Sequence, residues 1–147
     1  DANYAPLIGE MKKLLSHTHF AVASKAMEVL SMLAEGVGEK LYPYLRPFLT
    51  TLLTLSKDKK LTRAIVSCLD AMFGNILTFD RLLESNDALS SALDERTQKN
   101  ALVRASTLEF LGRCVKRGDA AGPRSHLSVQ SVTAIGALCV SKLDDSD

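Results

Sequence analysis

Residues 97–114 read TQKNALVRASTLEFLGRC, and the second half of that stretch carries a single apolar stripe. Val103, Thr107, Phe110, Leu111 and Cys114 stand at offsets 0, +4, +7, +8 and +11. On a 3.6-residue period these positions share one face, so the spacing predicts an amphipathic helix with its other side in water. The same offsets recur at Val22, Ala26, Val29, Leu30 and Leu33, and again at Ile65, Leu69, Met72, Phe73 and Ile76. The copies are displaced by 43 and then 38 residues.

Each of these helices has a predecessor. Leu7, Met11, Leu14 and Leu15 match Leu45, Leu49, Leu52 and Leu53 in spacing, and Ser85, Leu89, Ala92 and Leu93 form a third copy. Val132, Ile135, Leu138, Cys139 and Leu143 suggest a further first helix. The repeating unit is therefore helix, short turn, helix, at about 40 residues, a length in the HEAT/armadillo range where helix pairs stack because none buries its stripe alone. The expected fold is all-α, a HEAT-repeat solenoid, with units of about 1–38, 39–77 and 78–118 and a last first-helix in 119–147. Gly36, Gly38 and Gly118 are expected helix stops. Pro43 and Pro47 predict that the helix over about 41–55 starts late or bends.

The bulk composition narrows the function. The chain has 147 residues, 46% hydrophobic and 24% charged, which suits one globular domain. Eighteen basic against seventeen acidic side chains leave a net charge of +1, so nothing global favours nucleic acid or a membrane surface. No apolar run approaches the ~18 residues of a membrane span, and the first residues lack a signal-peptide pattern. Three cysteines, Cys68, Cys114 and Cys139, are widely spaced with no C-x-x-C, which points to a reducing, intracellular compartment. A start at Asp1 without methionine and an end at DDSD read as a piece of something longer.

Charge is unevenly placed. In stacked helix pairs the turns inside each unit line one edge, here SHTH (16–19), SKDKK (56–60), ERTQKN (95–100) and DDSD (144–147). The second and third are net basic through Lys57, Lys59, Lys60, Arg96 and Lys99, an edge suited to an acidic partner. The plainer reading is that the lysines are solvated and that Asn100 is an ordinary N-cap.

KNALVRASTLEFLGRCVKR (99–117) resembles the fifth HEAT unit of a TOG domain. HTHFAVASKAMEVLSMLAEGV (17–37) followed by EKLYPYLRPFLTTLL (39–53) is similar to the third unit and the start of the fourth, including the Leu-Ala-x-Gly ending. SKDKK and LDAMF resemble the fourth unit's turn and second helix, and NYAPLIGEMKKLL and SKLDDSD fit the third and sixth units. The resemblance covers nearly the whole chain as a partial TOG domain, closest to microtubule polymerases, with the CLASP relatives as the nearest variant. It implies a non-enzymatic module that binds the αβ-tubulin dimer and promotes microtubule plus-end growth, located in the cytoplasm and cytoskeleton at microtubules, spindle and centrosome. The implied tubulin-binding residues are Lys99 and Asn100, Lys57, Lys59 and Lys60, the Thr18–His19–Phe20 turn, and Arg104. The fragment is expected to be monomeric and to need no cofactor. His19 stands where the family has Asn, Leu61 and Ala101 replace its prolines, and the first two units and the family's tryptophan are missing.

Catalytic constellations are weak. Cys114 occupies a stripe position, which makes it core rather than a nucleophile. The HTH imidazoles have no nearby third ligand in sequence, and Asp144, Asp145 and Asp147 do not follow an EF-hand pattern. The competing reading is a HEAT scaffold for another protein, such as a kinetochore, centrosomal or transport factor. Its mark is a helix-lined apolar patch away from the turns.

Overall fold

The computed structural model describes residues 3–78, 81–82 and 86–120. Every regular element among them is helical. The expected last helix around Val132–Leu143, Ser85, Cys139 and the DDSD turn lie outside the described residues. The chain divides into two compact units, 1–77 and 78–147.

The first unit holds α1 (Ala5–Leu15), α2 (Phe20–Val37), a 3-10 turn (Gly38–Leu41), α3 (Tyr42–Leu55), a second 3-10 turn (Lys59–Leu61) and α4 (Thr62–Asn75). Asn3 starts α1: its Oδ1 accepts from the Ala5 N–H at 3.1 Å, and Pro6 fits the first turn, where an N–H would go unused. Gly38 stops α2 with φ +65, the only positive φ among the described residues. A residue bearing a Cβ is strained in that conformation, so this stop needs glycine. The other two expected stops differ. Gly36 lies inside α2, and Gly118 lies inside a later helix that runs on to Ala120. Pro43 sits in the first turn of α3 and Pro47 inside it. The expected late start is met by the 3-10 turn that leads into Tyr42.

These helices form two hairpins laid one on the other. α1 packs on α2 and on α3, α3 on α4, and the most extensive contact joins α2 to α4. Tyr4 and Tyr44 add an edge-to-face pair, with centroids 6.1 Å apart. The core is built from Ile8, Met11 and Leu15 of α1, Met27 and Leu30 of α2, Leu45, Leu49 and Leu52 of α3, and Ile65, Leu69 and Met72 of α4. Each such burial is worth about 1.5–3 kcal/mol before entropy is counted.

The second unit shows α5 (Asn86–Leu93) packed on α6 (Ala101–Ala120). Val103, Thr107, Phe110, Leu111 and Cys114 are all buried, so the stripe read from 97–114 is the core face of α6. Thr107 satisfies its hydroxyl on the Val103 carbonyl at 2.8 Å. Leu89, Ala92 and Leu93 of α5 are buried as well.

On α1 the stripe is turned. Ile8, Met11 and Leu15 are buried, while Leu7 and Leu14 are 42% and 41% exposed. Urea denaturation distinguishes the two kinds of position: Leu111→Ala is expected to cost about 2–5 kcal/mol, and Leu14→Ala within about 1 kcal/mol.

Candidate functional site

Two turns of the first unit, some forty residues apart in sequence, meet at one corner. In the first, His17 Nδ1 accepts the backbone N–H of His19 at 3.0 Å, which closes the turn and delivers Phe20 as the first residue of α2. In the second, Asp58 Oδ1 accepts the N–H of Lys60 at 2.9 Å and starts the 3-10 turn. The Lys60 ammonium then lies 5.6 Å from the centroid of the Phe20 ring, and His19 stacks on that ring at 5.9 Å and 12°. A cation over an exposed aromatic face is worth about 0.5–1 kcal/mol. Phe20 is 49% exposed, and Thr18, His19, Lys57, Lys59 and Lys60 are exposed too. Three ammonium groups within four residues, against the one carboxylate of that turn, Asp58, make its Lys57–Lys59 side electropositive, while Lys60 also shares a hollow with Glu28 and Glu35 of α2.

Lys99, Asn100 and Arg104 belong to the second unit, where Asn100 and Arg104 are both tied to Gln98 of the 94–100 turn. The Asp94 carbonyl accepts from Gln98 N at 2.7 Å, and Asp94 Oδ1 from Arg96 N at 2.9 Å. Asn100 Oδ1 accepts the N–H of Leu102 at 2.9 Å, so it is the N-cap of α6. The Arg104 guanidinium donates to the Gln98 carbonyl at 2.7 Å and braces the turn from the helix side. Asn100 and Arg104 thus hold the lip in shape, and Lys99 stands exposed on it.

An apolar groove was not legible in the sequence. It runs between α1 and α2 with a volume of about 530 Å³, and its lining includes Met11, Leu14, Val22, Ala26 and Val29, with His17, His19 and Lys25 at the rim. Val22 and Val29 carried the predicted core stripe of α2. The structure keeps Ala26 and Leu30 of that stripe inward, joins Ala23, Met27 and Ala34 to them, and leaves Val29 37% exposed. The missed signal was the alanine series, which marks a close helix contact. A second hollow of about 520 Å³ lies between α2 and the segment from Lys60 into α4, with Glu28 and Glu35 opposite Lys60 and Arg63 and with Met32 and Ala64 adding apolar surface.

Cys68 is fully buried. Burial pushes its thiol up from 9.0 to about 11, against a smaller opposing effect of the Ser31 hydrogen bond. A thiol held protonated is a poor nucleophile. Cys114 is buried as well.

The corner and the groove both lie on an all-helical scaffold. The family model for "Parkin co-regulated protein" matches residues 4–104, and the chain belongs to that family. It is also similar to phosphoprotein p93 of Schizosaccharomyces pombe, with 26% identity over 149 residues that cover 99% of this chain and 15% of the relative. The chain thus spans 15% of the length of that curated relative. No solved structure matches it.

The family match corrects the resemblance drawn from the sequence. The assignment to the TOG domains of microtubule polymerases is overturned, and with it αβ-tubulin as partner and plus-end growth as function. The physical reason lies in what the quoted residues do. In KNALVRASTLEFLGRCVKR, Asn100 caps a helix and Val103, Thr107, Phe110, Leu111 and Cys114 fill a core. Any helix pair packed this way asks for those residue types, so the motif reports packing and not a ligand.

The Cys68 shift has a testable sign. Because the folded protein holds this proton more tightly than the unfolded chain, its contribution is fully present below about pH 9. It is lost as the pH rises towards and through about 11. Between pH 8 and 10.5, Cys68→Ala should therefore lose about 1–3 kcal/mol less stability than the wild type in urea titrations. Peptide mapping after iodoacetamide treatment of the native chain at pH 8 should find Cys68 unmodified.

Proposed function

We propose that this chain is a non-enzymatic protein-binding module of the helical-solenoid type, which holds an acidic segment of a partner protein at the corner of Thr18–Phe20 and Lys57–Lys60. The observation that carries the reading is the Lys60–Phe20 contact at 5.6 Å, which joins a basic turn to an exposed aromatic one. A carboxylate-bearing segment gains from both parts. The lysines steer it and fix its orientation, while Phe20, stacked on His19, offers a rigid apolar surface at low entropic cost.

The solenoid part of the proposal rests on the layering in the first unit, with α1 against α3 and α2 against α4. Each hairpin then covers its neighbour's stripe, as repeat stacks require. Lys99 is a further exposed cation on a braced turn of the second unit. The non-enzymatic part is supported by Cys68, whose buried, protonated thiol suits packing rather than attack.

The test uses fluorescence anisotropy of a labelled Glu-rich peptide with the full chain. Binding should weaken steeply with added salt. It should fall roughly tenfold or more in the Lys57→Glu/Lys59→Glu/Lys60→Glu variant, and less in Phe20→Ala, with helicity by circular dichroism unchanged in both. Wild-type affinity in the triple reversal rules the corner out.

A further inference from the structure

The groove between α1 and α2 leads to the same corner. His19 lines the groove and stacks on Phe20, and Phe20 carries Lys60. One continuous strip therefore passes from an apolar trough to a cluster of lysines. We infer that the partner's segment is an amphipathic helix whose apolar stripe lies in the α1–α2 groove and whose acidic end reaches Lys57, Lys59 and Lys60. This rests on the reading of the corner given above and adds the form in which the acidic segment is presented.

The trough has the repeat of a helix. Of its lining, Met11 and Leu14 on α1 stand three residues apart, and Val22, Ala26 and Val29 on α2 stand four and then three apart, so the α2 wall runs about 10.5 Å along its axis at 1.5 Å per residue. A helix laid between them presents side chains at i, i+3 or i+4, and i+7 on the same spacing, the usual mode for a helix in a groove. Leu14 and Val29 stand exposed along this face, which leaves apolar surface for such a stripe to cover.

Charge selects the partner. The groove lining contains no carboxylate. Its one ammonium, Lys25, already pairs with Glu28 at 2.6 Å, and His17 spends its Nδ1 on the turn. An apolar stripe can therefore dock without stranding an opposing acid, and demand for negative charge lies at the Lys57–Lys60 turn, chiefly at Lys57 and Lys59, since Lys60 shares a hollow with Glu28 and Glu35. A helix with acidic residues at one end meets both conditions. A second copy of this face fits worse, because the lining has no carboxylate to offer the other copy's lysines.

The inference is tested by selecting a phage-displayed library of 16-residue peptides on the full chain and measuring a synthesised consensus peptide beside the Glu-rich peptide. Enriched sequences should carry large apolar residues at i, i+3 or i+4, and i+7, with Asp or Glu clustered at one end. The Leu14→Gln/Val29→Gln variant should weaken the consensus peptide roughly tenfold while leaving the Glu-rich peptide unaffected, and the triple lysine reversal should weaken both. Circular dichroism confirms that each variant is folded, which the exposure of Leu14 and Val29 favours. Enrichment of acidic peptides without a stripe, or full affinity of the consensus peptide for the glutamine variant, overturns the groove and leaves the corner standing. Enrichment of a stripe without acidic residues, or indifference of both peptides to the lysine reversal, overturns the corner and the inference with it.

Discussion

The most extensive packing in the first unit is between α2 and α4, and the face that α2 buries is lined with Ala23, Ala26 and Ala34 around Met27 and Leu30. Small side chains let two helix axes approach, so ridges of one enter the grooves of the other. Once α2 is committed on this side, its remaining apolar residues have nowhere to go. Val22 and Val29 are left facing outward beside Leu14, and a trough forms between α1 and α2. The same contact brings the start of α2 beside the start of α4, which is how Phe20 comes under Lys60. The trough and the corner are thus two results of a single packing choice.

Polar side chains at the turns make that packing reproducible. Asn3, Asp58 and Asn100 each accept a backbone N–H two residues on, and Asp94 anchors its turn through both carbonyl and carboxylate. These short-range bonds supply partners for donors that the first turn of a helix leaves unused. Gly38 completes the set, because the chain must reverse there with a positive φ. Among the described residues no buried side-chain nitrogen or oxygen lacks a hydrogen-bond partner, including Thr107, which bonds to a carbonyl of its own helix, and Ser56, which bonds to the Leu53 carbonyl at the end of α3.

The same economy explains how a sequence motif suggested the wrong family. Lys99 and Asn100 before a branched and aromatic stripe look like a recognition signature. In the structure Asn100 is a cap, Arg104 is a brace on the Gln98 carbonyl, and the stripe is core. Three roles that any helix hairpin needs produce the pattern without a ligand. Membership of the Parkin co-regulated protein family then leaves the function to be argued from exposed chemistry, where the Lys60–Phe20 pair and the trough carry most of the weight.

The sequence by itself determined the helical class, the helix-turn-helix order, the core faces of α4, α5 and α6, and the N-cap at Asn100. Each follows from residues within a few positions of one another, which periodicity and capping report directly. It did not determine which side of α1 or α2 is buried. FAVASKAMEVLSMLAEGV carries Val29 and Met32 exposed beside its buried positions, and an apolar arc wider than one contact does not say which of its edges a neighbour will cover. Tertiary structure made that choice, turning Leu7, Leu14 and Val29 outward, and it brought together an aromatic ring and an ammonium forty positions apart. The repeat set the two turns on one edge, but which side chains touch there depends on how whole helices pack.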